Sequence, residues 1–133
     1  MRIPTIKVKY DQCLTIEVLV EALKTFFQAD IVVSTYTGDR AALHKLKLNI
    51  AAKIFKDIQF KYNSRKFTGK GSFEFYKYEA EIIYDGLLKM ETTHQQMQLR
   101  QRELIDNLIQ EIFDIETKNP WTAAFDLFQI GVK

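Results

Sequence analysis

One cysteine, two histidines and a cluster of three carboxylates hold most of the chemical potential of this chain. Cys13 is the only cysteine, so no disulfide can close within the chain. With Cys13, His44 and His94 as the only soft ligands, a Cys/His zinc site is not expected. Neither histidine has a Ser, Cys or Asp at the spacing of a catalytic triad, and both sit among polar neighbours on expected helices. Glu79, Glu81 and Asp85 could bind a divalent cation or serve hydrolysis if they shared one face. The plainer reading is a wet sheet face lined with Glu and Lys. No catalytic residue, metal site or cofactor is therefore assigned, and a non-enzyme is expected.

Gly69-Lys70-Gly71-Ser72 superficially resembles a phosphate loop. It lacks the Gly-x-x-x-x-Gly-Lys-Ser/Thr spacing and opens an expected strand, so no helix N-terminus would meet a phosphate. The surrounding stretch from Phe60 to Tyr78, FKYNSRKFTGKGSFEFYKY, interleaves bases with aromatics. Lys45, Lys53, Lys56, Arg65, Lys66 and Lys70 could pair with phosphates while exposed rings stack on unpaired bases. Aromatics at strand spacing are more often core, and lysines outside a helix more often face water. Nucleic acid is thus an alternative partner.

The 133 residues fit one domain spanning 1–133. Hydrophobic residues make up 47% and charged residues 27%, which disfavours disorder and fibrous repeats. Only five Gly and two Pro are present, so few long elements are expected rather than many short strands. No apolar run approaches the ~20 residues of a membrane span, and the first fifteen residues lack a signal-peptide core. No membrane partner is expected; the compartment would be cytoplasmic, or a virion for a viral structural protein. The net charge of +2 hides an asymmetry. Residues 40–70 carry nine bases and one acid, whereas residues 79–126 carry ten acids and four bases.

These residues must be positioned by elements that the apolar spacing outlines. Ile6, Val8 and Tyr10 alternate with Lys7 and Lys9, as in a strand with one wet face. Thr15 is an expected cap for a helix with Ile16, Leu19, Val20, Leu23, Phe26 and Phe27 on one stripe. Residues 31–36 are β-branched and apolar, as a central strand would be. Asp39 would cap a second helix with Leu43, Leu46, Ile50, Ile54 and Ile58 on one face. Strands over 59–67 and from Ser72 to Tyr84 would form a hairpin around Thr68-Gly69-Lys70-Gly71. The second of these would place Tyr76, Tyr78, Ala80, Ile82 and Tyr84 on one side. Asp85-Gly86 would end it.

A long helix to about Glu116 would be capped by Thr92 or Thr93, each with a Gln three residues on. Its second half offers Leu104, Ile105, Leu108, Ile109, Ile112 and Phe113 to a core. Its first, HQQMQLRQRE, offers only Met97 and Leu99. Asn119, Pro120 and Gly131 frame a short last helix. The expected architecture is α/β or α+β, order β-α-β-α-β-β-α-α, with a four-stranded mixed sheet.

That element order resembles the thioredoxin-like fold over about residues 2–116. Cys13 lies between the first strand and first helix, where that fold keeps its nucleophile, and a helix N-terminus lowers a thiol pKa. Cys13-Leu14-Thr15-Ile16 has no second cysteine, and no proline precedes the hairpin where the family has one. A thiol protein centred on Cys13 is the third reading. Small α+β proteins of phage necks and tails, including tail terminators, are similar in part: a sheet strand runs into a helix as Tyr76–Tyr84 would run into Thr92–Ile115. The leading expectation is a non-catalytic assembly subunit contacting copies of itself or other subunits. Met97, Leu99, Arg100 and Arg102 would form the contact, with Glu111 or Asp114 of a neighbour opposite the arginines.

Overall fold

The computed structural model describes residues 3–10, 13–31, 39–63 and 70–118. Over these the chain is a mixed α/β fold, mostly helical, with four helices and one two-stranded antiparallel sheet. Strand β1 (Thr5–Tyr10) is followed by helices α1 (Cys13–Ile31) and α2 (Asp39–Tyr62). Strand β2 (Gly71–Tyr76) leads directly into α3 (Lys77–Lys89), and α4 (Gln95–Lys118) follows.

The alternation in β1 does what period two requires. Ile6, Val8 and Tyr10 are buried, while Thr5, Lys7 and Lys9 face outward. β2 lies antiparallel to it, with Ile6 opposite Phe75 and Val8 opposite Phe73. The inner face of the sheet is therefore apolar and aromatic, and Tyr10 and Phe73 meet with ring centroids 5.0 Å apart. On the wet face Lys7 stands opposite Glu74, an opposite-charge cross-strand pair.

The helices supply most of the core. α1 buries Ile16, Val18, Leu19, Ala22, Leu23 and Phe26, and packs most closely against α3. α3 buries Ala80, Ile82, Ile83, Gly86 and Leu87. Gly86 touches the backbone of α1: a Cβ there would stand 2.1 Å from the Ala22 carbonyl oxygen. α4 adds Leu104 and Leu108, and all these residues apart from Gly86 form one connected hydrophobic cluster.

Several expectations are corrected by this architecture. The four-stranded mixed sheet is not present among the described residues, which contain two strands. Ile31 closes α1 rather than opening a central strand; residues 32–36 and the expected last helix lie outside the described residues. The strand at 59–67 is corrected as far as Tyr62, because the helical repeat of Ile54 and Ile58 carries on into the last turn of α2. β2 pairs with β1 rather than with a strand at 59–62, which is helical; Thr68 and Gly69 of the expected hairpin turn lie outside the described residues.

The strand from Ser72 to Tyr84 stops at Tyr76, where the backbone N–H donates to Glu79 Oε1 at 2.9 Å and α3 begins. Inside β2 the faces are the reverse of those expected, with Phe73 and Phe75 buried and Tyr76 exposed. Asp85-Gly86 does not break the chain; Gly86 is an interior helical contact. Thr15 is not a flanking cap but a buried residue of α1. At α4 the cap is His94, whose Nδ1 accepts the Met97 N–H at 3.3 Å, while Thr92 Oγ1 accepts the His94 N–H at 3.1 Å. The element order that resembled a thioredoxin-like sheet is thus absent from the described residues, and the strand that resembled phage tail proteins is mostly α3.

Candidate functional site

The residues with the most evident chemistry are occupied by structure. Glu79 is buried and caps α3 by accepting the Tyr76 N–H. Glu81 pairs with Lys77 at 3.3 Å, and Asp85 pairs with Lys89 at 3.1 Å. The three carboxylates therefore serve one helix rather than a common centre, and no group of three metal-binding side chains exists among the described residues. Lys77 also reaches Glu116 at 3.0 Å, tying the start of α3 to the end of α4. That hydrogen bond to Glu116, with help from Glu81, raises the Lys77 pKa above its ordinary value against a smaller effect of burial.

Cys13 is exposed at the first residue of α1. His94 caps α4 rather than facing a nucleophile. No described helix is long and apolar enough to cross a membrane.

The basic segment divides. Lys45, Lys53 and Lys56 are exposed on α2, and at ~100° per residue they share one side of that helix with Phe60, which is 81% exposed. Lys61 instead lies over the rings of Phe73 (4.9 Å) and Tyr10 (5.6 Å) and donates to the Ser72 carbonyl, so it fastens α2 to the sheet. Lys70 is exposed beside β2. Arg65 and Lys66 lie outside the described residues.

The four residues expected at a subunit contact do not share one face. Met97 is half-buried and packs on the core. Arg100 is only 23% exposed along its side chain and pairs with Glu103 at 2.9 Å. Leu99 (61% exposed) and Arg102 point to solvent. The start of α4 is held by amides that the residue types did not single out. Gln101 Nε2 donates to the Leu87 and Met90 carbonyls at 2.6 and 3.1 Å, and Gln98 donates to the Thr92 carbonyl. The Leu87 carbonyl also accepts the Met90 N–H at 3.4 Å, so Gln101 adds a second donor there and supplies one to the Met90 carbonyl just past the end of α3.

Two further surfaces were not read from the sequence. A cleft of about 560 Å³ opens between α1, the second half of α2 and the segment joining α3 to α4. Ile16, Val20, Phe55, Ile58, Met90 and Met97 make its apolar part, with Glu17, Glu21, Glu91 and Lys24 also on its wall. The second surface is the outer side of α4. Leu99, Arg102, Asp106, Ile109 and Phe113 recur at steps of three and four, the spacing of a single helical seam. All five are exposed. On α2 none of residues 41–50 is buried, and Leu43 and Leu46 are more than half exposed.

Compared with known protein families, curated proteins and solved structures, the chain gives no match in any of the three.

Proposed function

We propose that this chain is a non-catalytic assembly subunit whose helical surfaces contact copies of itself or other subunits of a complex. The observation that carries this reading is the placement of large apolar side chains in water on helices that already have a buried side. Leu43, Leu46, Leu99 and Phe113 are each more than half exposed, although α2 and α4 both contribute to the core. Scattered exposed leucines are ordinary, but aligned ones on one helical stripe mark interaction surfaces. A phage neck or tail is one setting for such a subunit, and a virion would then be its compartment.

Light scattering at about 100 µM, with and without 0.5 M salt, tests the reading, since a ~4 Å screening length leaves apolar contacts intact. A mass above that of one chain in both buffers supports self-assembly. A single-chain mass in both overturns self-assembly and leaves only contacts with other subunits.

The alternative is a nucleic-acid-binding module, favoured by one observation: Lys45, Lys53 and Lys56 share a side of α2 with the exposed Phe60. Phosphate contacts would make binding to single-stranded oligonucleotides fall steeply with salt. A retained affinity at high salt, or none at low salt, argues against that module. The third reading, a thiol protein centred on Cys13, rests on an exposed thiol at the start of α1; unchanged function in Cys13→Ser would remove it.

A further inference from the structure

The geometry points to a specific mode of self-association: two copies of this chain pair through the outer sides of their α4 helices, antiparallel, about a two-fold axis near residue 104. This inference rests on the assembly reading and names its contact.

The seam is defined by Leu99, Arg102, Asp106, Ile109 and Phe113, all exposed on α4. Steps of three and four residues keep them in line, as a packed helix pair requires. Among the described residues neither Arg102 nor Asp106 has a hydrogen-bond or ion-pair partner. Two unpaired opposite charges, one turn apart, stand in the middle of an otherwise apolar line.

Those charges select one arrangement. About an axis near residue 104, Arg102 of each copy faces Asp106 of the other, and Leu99 faces Ile109. Phe113 then packs over Gln95, whose amide carries no net charge to desolvate. Both ion pairs form by symmetry, as a two-fold contact demands. A parallel pairing in register would set Arg102 against Arg102 and Asp106 against Asp106. Sliding the antiparallel pair by one heptad would place Arg102 on Phe113 and Asp106 on Ile109, or Arg102 on Leu99 and Asp106 on Gln95. Each alternative buries a charge unpaired, which is strongly disfavoured. Charged residues within a seam commonly set register and orientation in this manner at some expense of stability.

The second copy fits this surface because the seam is complementary to itself and to nothing of one sign. An acidic or a basic partner would leave one of the two charges unanswered.

Sedimentation velocity on the full chain at about 300 µM, well above the micromolar Kd expected of a small interface, reads the result directly. The wild-type chain should sediment as a dimer. Arg102→Asp alone, and Asp106→Arg alone, should each sediment as monomers with unchanged circular dichroism, since both positions are exposed. Mixed in equal amounts, the two variants should recover the dimer, because each charged layer then holds one acid and one base. Dimers in both single variants, or a mixture that stays monomeric, would overturn the seam. If wild type is oligomeric and the variants do not alter its mass, the assembly reading stands and this seam is wrong. If wild type is monomeric, the seam and self-assembly both fall. A monomer whose position 113 is nevertheless shielded from labelling would assign the stripe to another segment of the same chain, which also refutes the proposal.

Discussion

Gly86→Ala sets two well-calibrated effects against each other and gives them opposite signs. Alanine is the better helix former by ~1 kcal/mol, so propensity alone makes the variant more stable. The packing says otherwise. The new Cβ would lie 2.1 Å from the Ala22 carbonyl oxygen and 2.8 Å from its carbonyl carbon, whereas real Cβ contacts essentially never fall below 3.0 Å. Both obstructing atoms are backbone in the middle of α1, so no side chain can rotate away. The helices must instead separate by roughly 1 Å, a gap that forfeits a quarter to a half of the dispersion energy of each facing contact. The residues that would lose contact are fully buried: Leu19 and Leu23 on α1, Ile83 and Leu87 on α3. Overpacking of this kind costs ~1–3 kcal/mol and at times more. With backbone atoms as the obstruction the cost belongs at the upper end of that range, ~3 kcal/mol, so after the gain in propensity the net loss should be about 2 kcal/mol, or roughly 6–10 °C in Tm for a domain of this size. Circular dichroism melts of the two chains measure it. Gly71→Ala is the internal comparison, because its nearest atom is the Tyr10 hydroxyl, the far end of a side chain, at 2.6 Å; it should cost much less. A Gly86→Ala chain as stable as wild type, or more so, would refute the close approach of α1 and α3.

Four other outcomes are expected. Leu108→Asp places a charge at a fully buried position of α4 and should unfold the domain, since total stabilities are only ~5–15 kcal/mol; a cooperative melt near the wild-type Tm would contradict it. Thr15→Val removes a buried hydroxyl that has no hydrogen-bond partner among the described residues, and should raise the urea midpoint by the equivalent of ~1 kcal/mol at unchanged slope. Lys77 has a raised folded-state pKa, so its contribution is complete below the ordinary lysine value of 10.5 and disappears as pH climbs through the higher folded value; the partly exposed pairs should make Lys77→Met cost at most ~1 kcal/mol at neutral pH and almost nothing in strong alkali. Gln101→Ala removes the side-chain donor of the Met90 carbonyl and one of the two donors of the Leu87 carbonyl, and should speed amide exchange across the start of α4, at ~1 kcal/mol in stability.

The local apolar repeats were the most legible part of the fold. Alternation marked β1, and the 3.6-residue repeat marked α1, whose Ile16, Leu19, Leu23 and Phe26 are all buried. The region from Phe60 to Tyr84 misled because its aromatics recur at period two while its aliphatic residues recur at helical spacing. Ala80, Ile83 and Leu87 follow steps of three and four, and they decide the outcome because α1 offers them a core. Tyr76 and Tyr78, which looked like one face of a long strand, are stacked and exposed where the strand ends. A glycine after an aspartate reads as a turn in any sequence; that Gly86 is instead a close contact depends on Ala22, more than sixty residues away. Sheet partners were equally beyond local reading. β2 follows a glycine-rich stretch that favours a hairpin, yet it pairs with β1, the first strand in the chain.

The outer side of α4 was partly legible, and the reason it was missed is geometric. Leu104, Ile105, Leu108, Ile109, Ile112 and Phe113 looked like one broad core stripe. At ~100° per residue they cover about 180° of the helix, wider than the face a helix lays on one neighbour. Such a stripe must have an edge that leaves the core, and in the structure Leu104 and Leu108 are buried while Ile109 and Phe113 are exposed. The first half of the helix, taken alone, suggested that Met97, Leu99, Arg100 and Arg102 would act together. The same ~100° step separates them: Met97 lies on the side of Leu104 and Leu108, whereas Leu99 and Arg102 continue the line of Ile109 and Phe113. The division of α4 runs around its circumference and not along its length. One side closes the domain, and the other carries the apolar line with its two unpaired charges.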